Sequence, residues 1–253
     1  MQTPPAIEIA NLCVSFRDRR GPQREIRALD GISLCVPAGT VFGFLGPNGA
    51  GKTTTIQAAL GFVAPTAGCV RLLGLDAQSA EARRRIGFLP EPPAAYPFLT
   101  AREWVEACGR LSGLSRGESR SRAARWLERL GLADAAHRRI AGFSRGMLQR
   151  LGLAQALVHD PELLILDEPT SGMDPLGRLD IRALLADLRA CGKTVFFSSH
   201  ELSEVELVCD RVAIVNRGRV AFEGAPAERL RAGESLEQLF LRVVRGPDAG
   251  GTP

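Results

Sequence analysis

The stretch Gly46-Pro47-Asn48-Gly49-Ala50-Gly51-Lys52-Thr53 decides the fold. It fits the pattern G-x-x-x-x-G-K-[ST] at every position, with an apolar run before it and a helix-forming run after it. The glycines let the backbone curl so that its N–H groups converge on a bound anion. The helix that follows adds its positive dipole end. Lys52 offers a compact ammonium to the β- and γ-phosphates of a nucleoside triphosphate, and Thr53 a hydroxyl to Mg²⁺. These residues predict a strand, a phosphate-cradling loop and a helix over residues 52–62.

On either side of this loop the pattern is that of an α/β protein. Apolar residues Ile7, Ile9, Leu12, Val14 and Phe16 predict a first strand, and residues 28–36 a second. Between them the charged, Gly- and Pro-containing run over residues 17–24 reads as a basic hairpin loop that is simply solvated. Residues 40–45 form a third strand that enters the phosphate loop. Short apolar strands at 162–166 and 194–198 flank a helix at 177–190, an alternation that implies a parallel sheet. The early strands add a small antiparallel β layer.

The middle of the chain is different. Over residues 101–158 apolar positions recur at helical spacing, as in Trp104, Val105, Cys108 and Leu111, then Ala124, Trp126, Leu127 and Leu130. Gly113, Gly131 and Gly142 mark stops. The arginine-rich stretch 116–129 is interleaved with Glu118 and Glu128 and reads as an exposed helix face. The predicted fold is therefore a P-loop NTPase with a mostly parallel central sheet, a small antiparallel β-subdomain and an inserted α-helical subdomain. One domain over residues 5–245 would hold the core and β-subdomain (5–90 and 158–222), the helical subdomain (91–157) and a packing helix (234–244). Residues 246–253, rich in Gly and Pro, read as a flexible tail.

A second chemical element lies 115 residues beyond Lys52, where Leu163-Leu164-Ile165-Leu166 ends in Asp167-Glu168. Asp167 can hold the water shell of Mg²⁺. Glu168 is placed to activate a water against the γ-phosphate as general base. An acidic pair after an apolar strand says little alone, but gains force from the phosphate loop. Phe143-Ser144-Arg145-Gly146-Met147-Leu148-Gln149-Arg150 opens a helix shortly before this strand, and His200 closes the strand at 195–199.

Composition bounds the rest. The 253 residues suffice for a buried core, and 24% charged with 45% hydrophobic residues is globular. No apolar stretch approaches the roughly 18 residues of a membrane span. Met1 to Ala10 lacks the basic and apolar regions of a secretory signal. The six cysteines are scattered, with no C-x-x-C pair, and read as small buried apolar residues in a reducing cytoplasm. A net charge of +4 argues against a dedicated nucleic-acid binder. Within that charge stand thirty arginines and only two lysines, Lys52 and Lys193. The arginine excess reads as surface drift. Lys52 stands where a guanidinium fork would not fit, and Lys193 has no role legible in the sequence.

Taken together, these motifs resemble the nucleotide-binding domain of ABC transporters, over Ile7 to about Val244. Phe16 resembles the aromatic that stacks on adenine. Gly46 to Thr54 matches the Walker A loop, with Pro47, Asn48, Gly49, Ala50, Gly51, Lys52 and Thr53 between them. Ile86 to Glu91 matches the segment ending in the Q-loop, and Phe143 to Met147 the signature sequence. Asp167 and Glu168 match Walker B and the catalytic glutamate, Ser171 to Pro175 the D-loop, and His200 the switch histidine. Three departures stand out. Glu91 replaces the usual Gln; it can still reach Mg²⁺ but has no amide N–H to donate. Arg145 and Met147 replace the usual Gly and Gln of the signature, while Ser144 and Gly146 are kept. Leu-Pro-Glu-Pro and Phe-Ser-Arg-Gly-Met resemble the ABC-2 type exporter subfamily.

The resemblance implies an ATPase that uses ATP and Mg²⁺. It implies two domains, as a homodimer, closing head to tail on two nucleotides, with Ser144 and Gly146 of one facing the Walker A loop of the other. Its partners would be separate transmembrane permease subunits for export, reached through the cleft beside Glu91. The chain would then be cytoplasmic and peripheral on the inner face of the cell membrane. The rival reading is a soluble ABC-type ATPase acting on nucleic acid or ribosomes. Against it stand the single phosphate loop and an insertion of about sixty residues without heptads. Glu168 and His200 together also argue against a non-hydrolysing regulatory subunit.

Overall fold

The computed structural model describes residues 4–17, 25–226 and 234–245. The basic segment 18–24 and the tail 246–253 lie outside the described residues. Two sheets organise the chain. Strands β1 (Ile7–Arg17), β2 (Glu25–Val36), β4 (Ala67–Leu72) and β5 (Leu75–Asp76) form an antiparallel sheet in the order β2-β1-β4-β5. The second sheet has six strands: β3 (Val41–Leu45), β6 (Ile86–Leu89), β7 (Leu163–Asp167), β8 (Thr194–Ser199), β9 (Arg211–Asn216) and β10 (Arg219–Gly224). Its order is β10-β9-β3-β8-β7-β6, parallel except for the β9–β10 hairpin.

The central strands β3, β7 and β8 are buried at every position. Strands covered on both faces read as continuous apolar runs, and alternate side chains supply two cores. Phe42, Phe44, Leu163, Ile165 and Phe196 face the antiparallel sheet and helix α1 (Lys52–Ala59). Val41, Leu45, Leu164, Leu166, Val195 and Phe197 face the helical side. That side comprises α3 (Ala101–Leu111), α4 (Arg116–Arg129), α5 (Arg145–Leu157), α6 (Pro175–Ala190) and α7 (Leu202–Val208), with the C-terminal helix Leu236–Arg245 packed beside α7. A short helix α2 (Ala80–Arg84) precedes β6.

Local chemistry explains the boundaries. Thr100 with Glu103, and Ser115 with Glu118, close reciprocal capping boxes at the starts of α3 and α4. Helix α1 ends at Ala59, shorter than the predicted 52–62, because Gly61 turns left-handed at φ +76°.

Several expectations are corrected. The cysteines are not buried: Cys35, Cys69 and Cys191 are exposed, and the other three are half-buried. Cys35 and Cys69 occupy outward positions of β2 and β4, whose alternate residues Leu34, Val36, Val70 and Leu72 point inward. Leu111, assigned to the buried stripe of α3, is 87% exposed at its last turn. On α4 the stripe runs through Ala123, Trp126, Leu127 and Leu130, and Ala124 is exposed.

Candidate active site

The phosphate loop connects β3 to α1, and its glycines are there for steric reasons. A Cβ on Gly46 would lie 2.4 Å from the Val215 carbonyl oxygen. Gly51, at φ +108°, stands in a conformation L side chains rarely adopt. Helices α2 to α6 each begin with a side-chain cap, from Ser79, Thr100, Ser115, Ser144 and Asp174. Helix α1 alone among these six begins without one, on Gly51, and carries no acid in its first turn. Its first N–H groups are thus left for an external anion.

A cleft of about 210 Å³ opens over this loop, lined by Pro47 to Thr54 with Ala28, Glu91 and Glu168. Lys52 is 8% exposed. Its Nζ donates to the Gly46 carbonyl at 2.7 Å and lies 4.0 Å from Glu168 Oε1. Asp167 ends β7, beside β8 in parallel register, and Glu168 follows it. Ser198 of β8 donates from Oγ to Asp167 Oδ1 at 2.5 Å and accepts the Glu168 N–H at 3.0 Å. With its proton on Nδ1, His200 donates to Glu168 Oε2 at 2.8 Å.

Burial pushes the Glu168 carboxyl above the usual glutamate range. His200 and Lys52 oppose that rise, whereas the Glu91 carboxylate adds to it. A buried carboxylate held between two basic groups, beside a cradle for phosphate, can accept a proton from water. Glu91 reaches the cleft from the end of β6, where Ser171 Oγ donates to its Oε1 at 2.9 Å.

Among the described residues, no group of three or more His, Cys, Asp and Glu side chains gathers as a metal site. The hydroxyl of Thr53 and the carboxylate of Asp167 are hard oxygen donors. That sparse set fits Mg²⁺, which keeps waters and takes further oxygens from phosphate.

The structure thus brings together the loop, Lys52, Thr53, Thr54, Glu91, Asp167, Glu168 and His200. It does not bring Phe16, Ser144 or Gly146 to the cleft lining. Phe16 is 43% exposed on β1. Ser144 caps α5, accepting the Met147 N–H at 3.3 Å. Two residues escaped the motif reading as contributors. Ser198 is a buried hydroxyl in an apolar strand, opposite Asp167 in the sheet register. Gln149 is 2% exposed, and its Nε2 donates to the Glu168 carbonyl at 2.8 Å. A polar side chain on the buried face of a helix was the available signal for the second.

The fold and cleft define a nucleotide-hydrolysing P-loop domain, and the comparisons name the family. The model of the ABC transporter family matches residues 29–171. An ABC transporter ATP-binding protein of Nostoc sp. is 43% identical over 230 residues, covering 90% of this chain and 69% of its own. The Nod factor export ATP-binding protein I of Paraburkholderia xenovorans is 42% identical over 228 residues, covering 88% and 73%. The solved ATP-binding subunit of an ABC transporter superposes with TM-score 0.84 at 28% identity, over 94% of this chain and 99% of that one. A dimeric ATP-binding cassette in a post-hydrolysis state with ADP and Pi gives TM-score 0.79 at 26% identity, over 87% and 98%. The chain belongs to the ABC transporter family, as an ATP-binding subunit and an ATPase.

Proposed function

We propose that this chain powers export through separate membrane subunits, hydrolysing MgATP within a head-to-tail dimer. The contact of Glu168 with His200 and Lys52 over the phosphate loop carries the reading. Lys52, held here by the Gly46 carbonyl and Glu168, turns to the phosphates when a triphosphate enters. Glu168 then accepts the proton of the attacking water, and His200 keeps its carboxylate aimed. Thr53 and Asp167, with Glu91 beside them, would hold Mg²⁺, which neutralises charge on the β- and γ-phosphates. Phe16 offers its exposed ring to the adenine.

Ser144 and Gly146 lie outside the chain's own cleft, which suits a role on a partner's nucleotide. A Cβ on Gly146 would meet nothing within 4 Å. The chain's own packing therefore does not require a glycine there, whereas a close-approaching phosphate would. The dimeric post-hydrolysis neighbour supports this pairing, and the relative named for Nod factor export supports export. Among the described residues no helix is long and apolar enough to cross a membrane. Attachment to the inner face of the membrane would therefore go through a permease.

Light scattering on Glu168→Gln protein with MgATP tests the dimer. A mass near twice 27.2 kDa is expected, and a monomer at saturating ATP would contradict it. Affinity capture from solubilised membranes tests the partner. Recovery of a permease supports export, and recovery of ribosomes or DNA in its place contradicts it.

A further inference from the structure

Glu168 stands in the left-handed region at φ +50°, a setting that a non-glycine residue keeps only when its surroundings enforce it. Both sides of its backbone are held by buried side chains. Its N–H donates to Ser198 Oγ of β8 at 3.0 Å. Its carbonyl accepts Gln149 Nε2 at 2.8 Å. Gln149 lies in α5, the helix that Ser144 caps, and is 2% exposed. It is absent from the lining of the phosphate cleft, so it does not meet the nucleotide there.

We propose that Gln149 is a positioning residue that holds the Glu168 carboxylate in its working orientation and ties that orientation to the helix begun at Ser144. The inference rests on the reading of Glu168 as general base. The same carbonyl also accepts the Ser171 N–H at 3.1 Å, so without the amide donor it is held only from its own following turn, and the peptide loses its tie to α5 and can relax from its left-handed setting. The carboxylate then leaves its 2.8 Å contact with His200. Because α5 carries both the cap at Ser144 and the donor at Gln149, a displacement of that helix reaches Glu168 through one hydrogen bond.

The test is steady-state MgATP hydrolysis by Gln149→Met, close in size but without a donor. A fall in kcat of about tenfold is expected, with KM for MgATP within about twofold, since the side chain acts on a group used in the transition state. A residue that merely supports the fold would lower kcat equally whether or not the Glu168 carboxylate is present. In a Glu168→Gln background, Gln149→Met is expected to cost nothing further. Unchanged kcat, a rise confined to KM, or an equal loss in the Glu168→Gln background would overturn the inference. Full turnover by Glu168→Gln alone would overturn the base reading instead, and the inference with it. Should Gln149→Met not fold, Gln149→Ala, smaller and equally without a donor, is read by the same outcomes.

Discussion

Nδ1 of His200 lies 2.8 Å from Oε2 of Glu168, across the ends of two adjacent parallel strands. The two side chains differ sharply in exposure, 56% for His200 and 9% for Glu168. The imidazole stands at the mouth of the site and the carboxylate beneath it. Burial raises the Glu168 carboxyl, and His200 works against that rise. Glu168 must be ionised to accept a proton, so hydrolysis should fail as pH drops through its raised pKa. In His200→Ala the opposing contact is gone. The acid limb of kcat against pH should then move to higher pH, and an unmoved limb would dissociate His200 from the base.

Glu91 acts in the opposite sense, since its carboxylate contributes to the rise at Glu168. Glu91→Gln removes that charge while its amide oxygen can still accept the Ser171 hydroxyl. The same pH profile should therefore shift to lower pH, with the Ser171 contact intact. An unmoved profile would show that the two carboxylates do not sense each other.

The two lysines should behave differently. Lys52 is sheltered under the Gly46 carbonyl, and an arginine fork cannot occupy that slot as a point charge does. Lys52→Arg should lower turnover by roughly 100-fold, the scale of losing one preorganised electrostatic contact. Lys193 pairs with Asp160 at 2.8 Å, and Asp160 is 64% exposed. Lys193→Ala should cost under about 1 kcal/mol in urea unfolding and leave turnover unchanged.

Phe196 tests the layering of the fold. Its ring packs 5.9 Å from that of Phe42 and 5.2 Å from that of Phe44, on the face toward the antiparallel sheet. Phe196→Ala should destabilise the chain by about 3–5 kcal/mol in denaturant unfolding. A loss under about 1 kcal/mol would mean that this face is not close-packed.

What could be read from the sequence was what local chemistry encodes. The phosphate loop, the acidic pair Asp167-Glu168 and the periodic helices of the insertion with their glycine stops all announce themselves within a few residues. Strands β4, β5, β6, β9 and β10 did not, because their pairing partners lie elsewhere in the chain and set their burial. The same holds for Cys35 and Cys69, whose outward positions follow from sheet register. Ala123 in place of Ala124 is a one-residue rotation of a helix face that only packing decides. At the cleft, motif spacing pointed to Lys52, Glu168 and His200, which the fold brings together, but not to Ser198 or Gln149. Those two bond the Glu168 backbone across 30 and 19 residues of chain, which no local pattern reveals. Lys193, without a role in the sequence, proves to be an ion-pair partner of Asp160.

Single-turnover hydrolysis of MgATP by Glu168→Gln is the decisive measurement, since the substitution keeps the size of the side chain and removes only its capacity to take a proton. The rate of phosphate release should fall by about 100-fold or more, the scale of general base catalysis, while ATP binding stays within a few-fold of the unaltered chain. Release at the unaltered rate would contradict the assignment of Glu168 as the base.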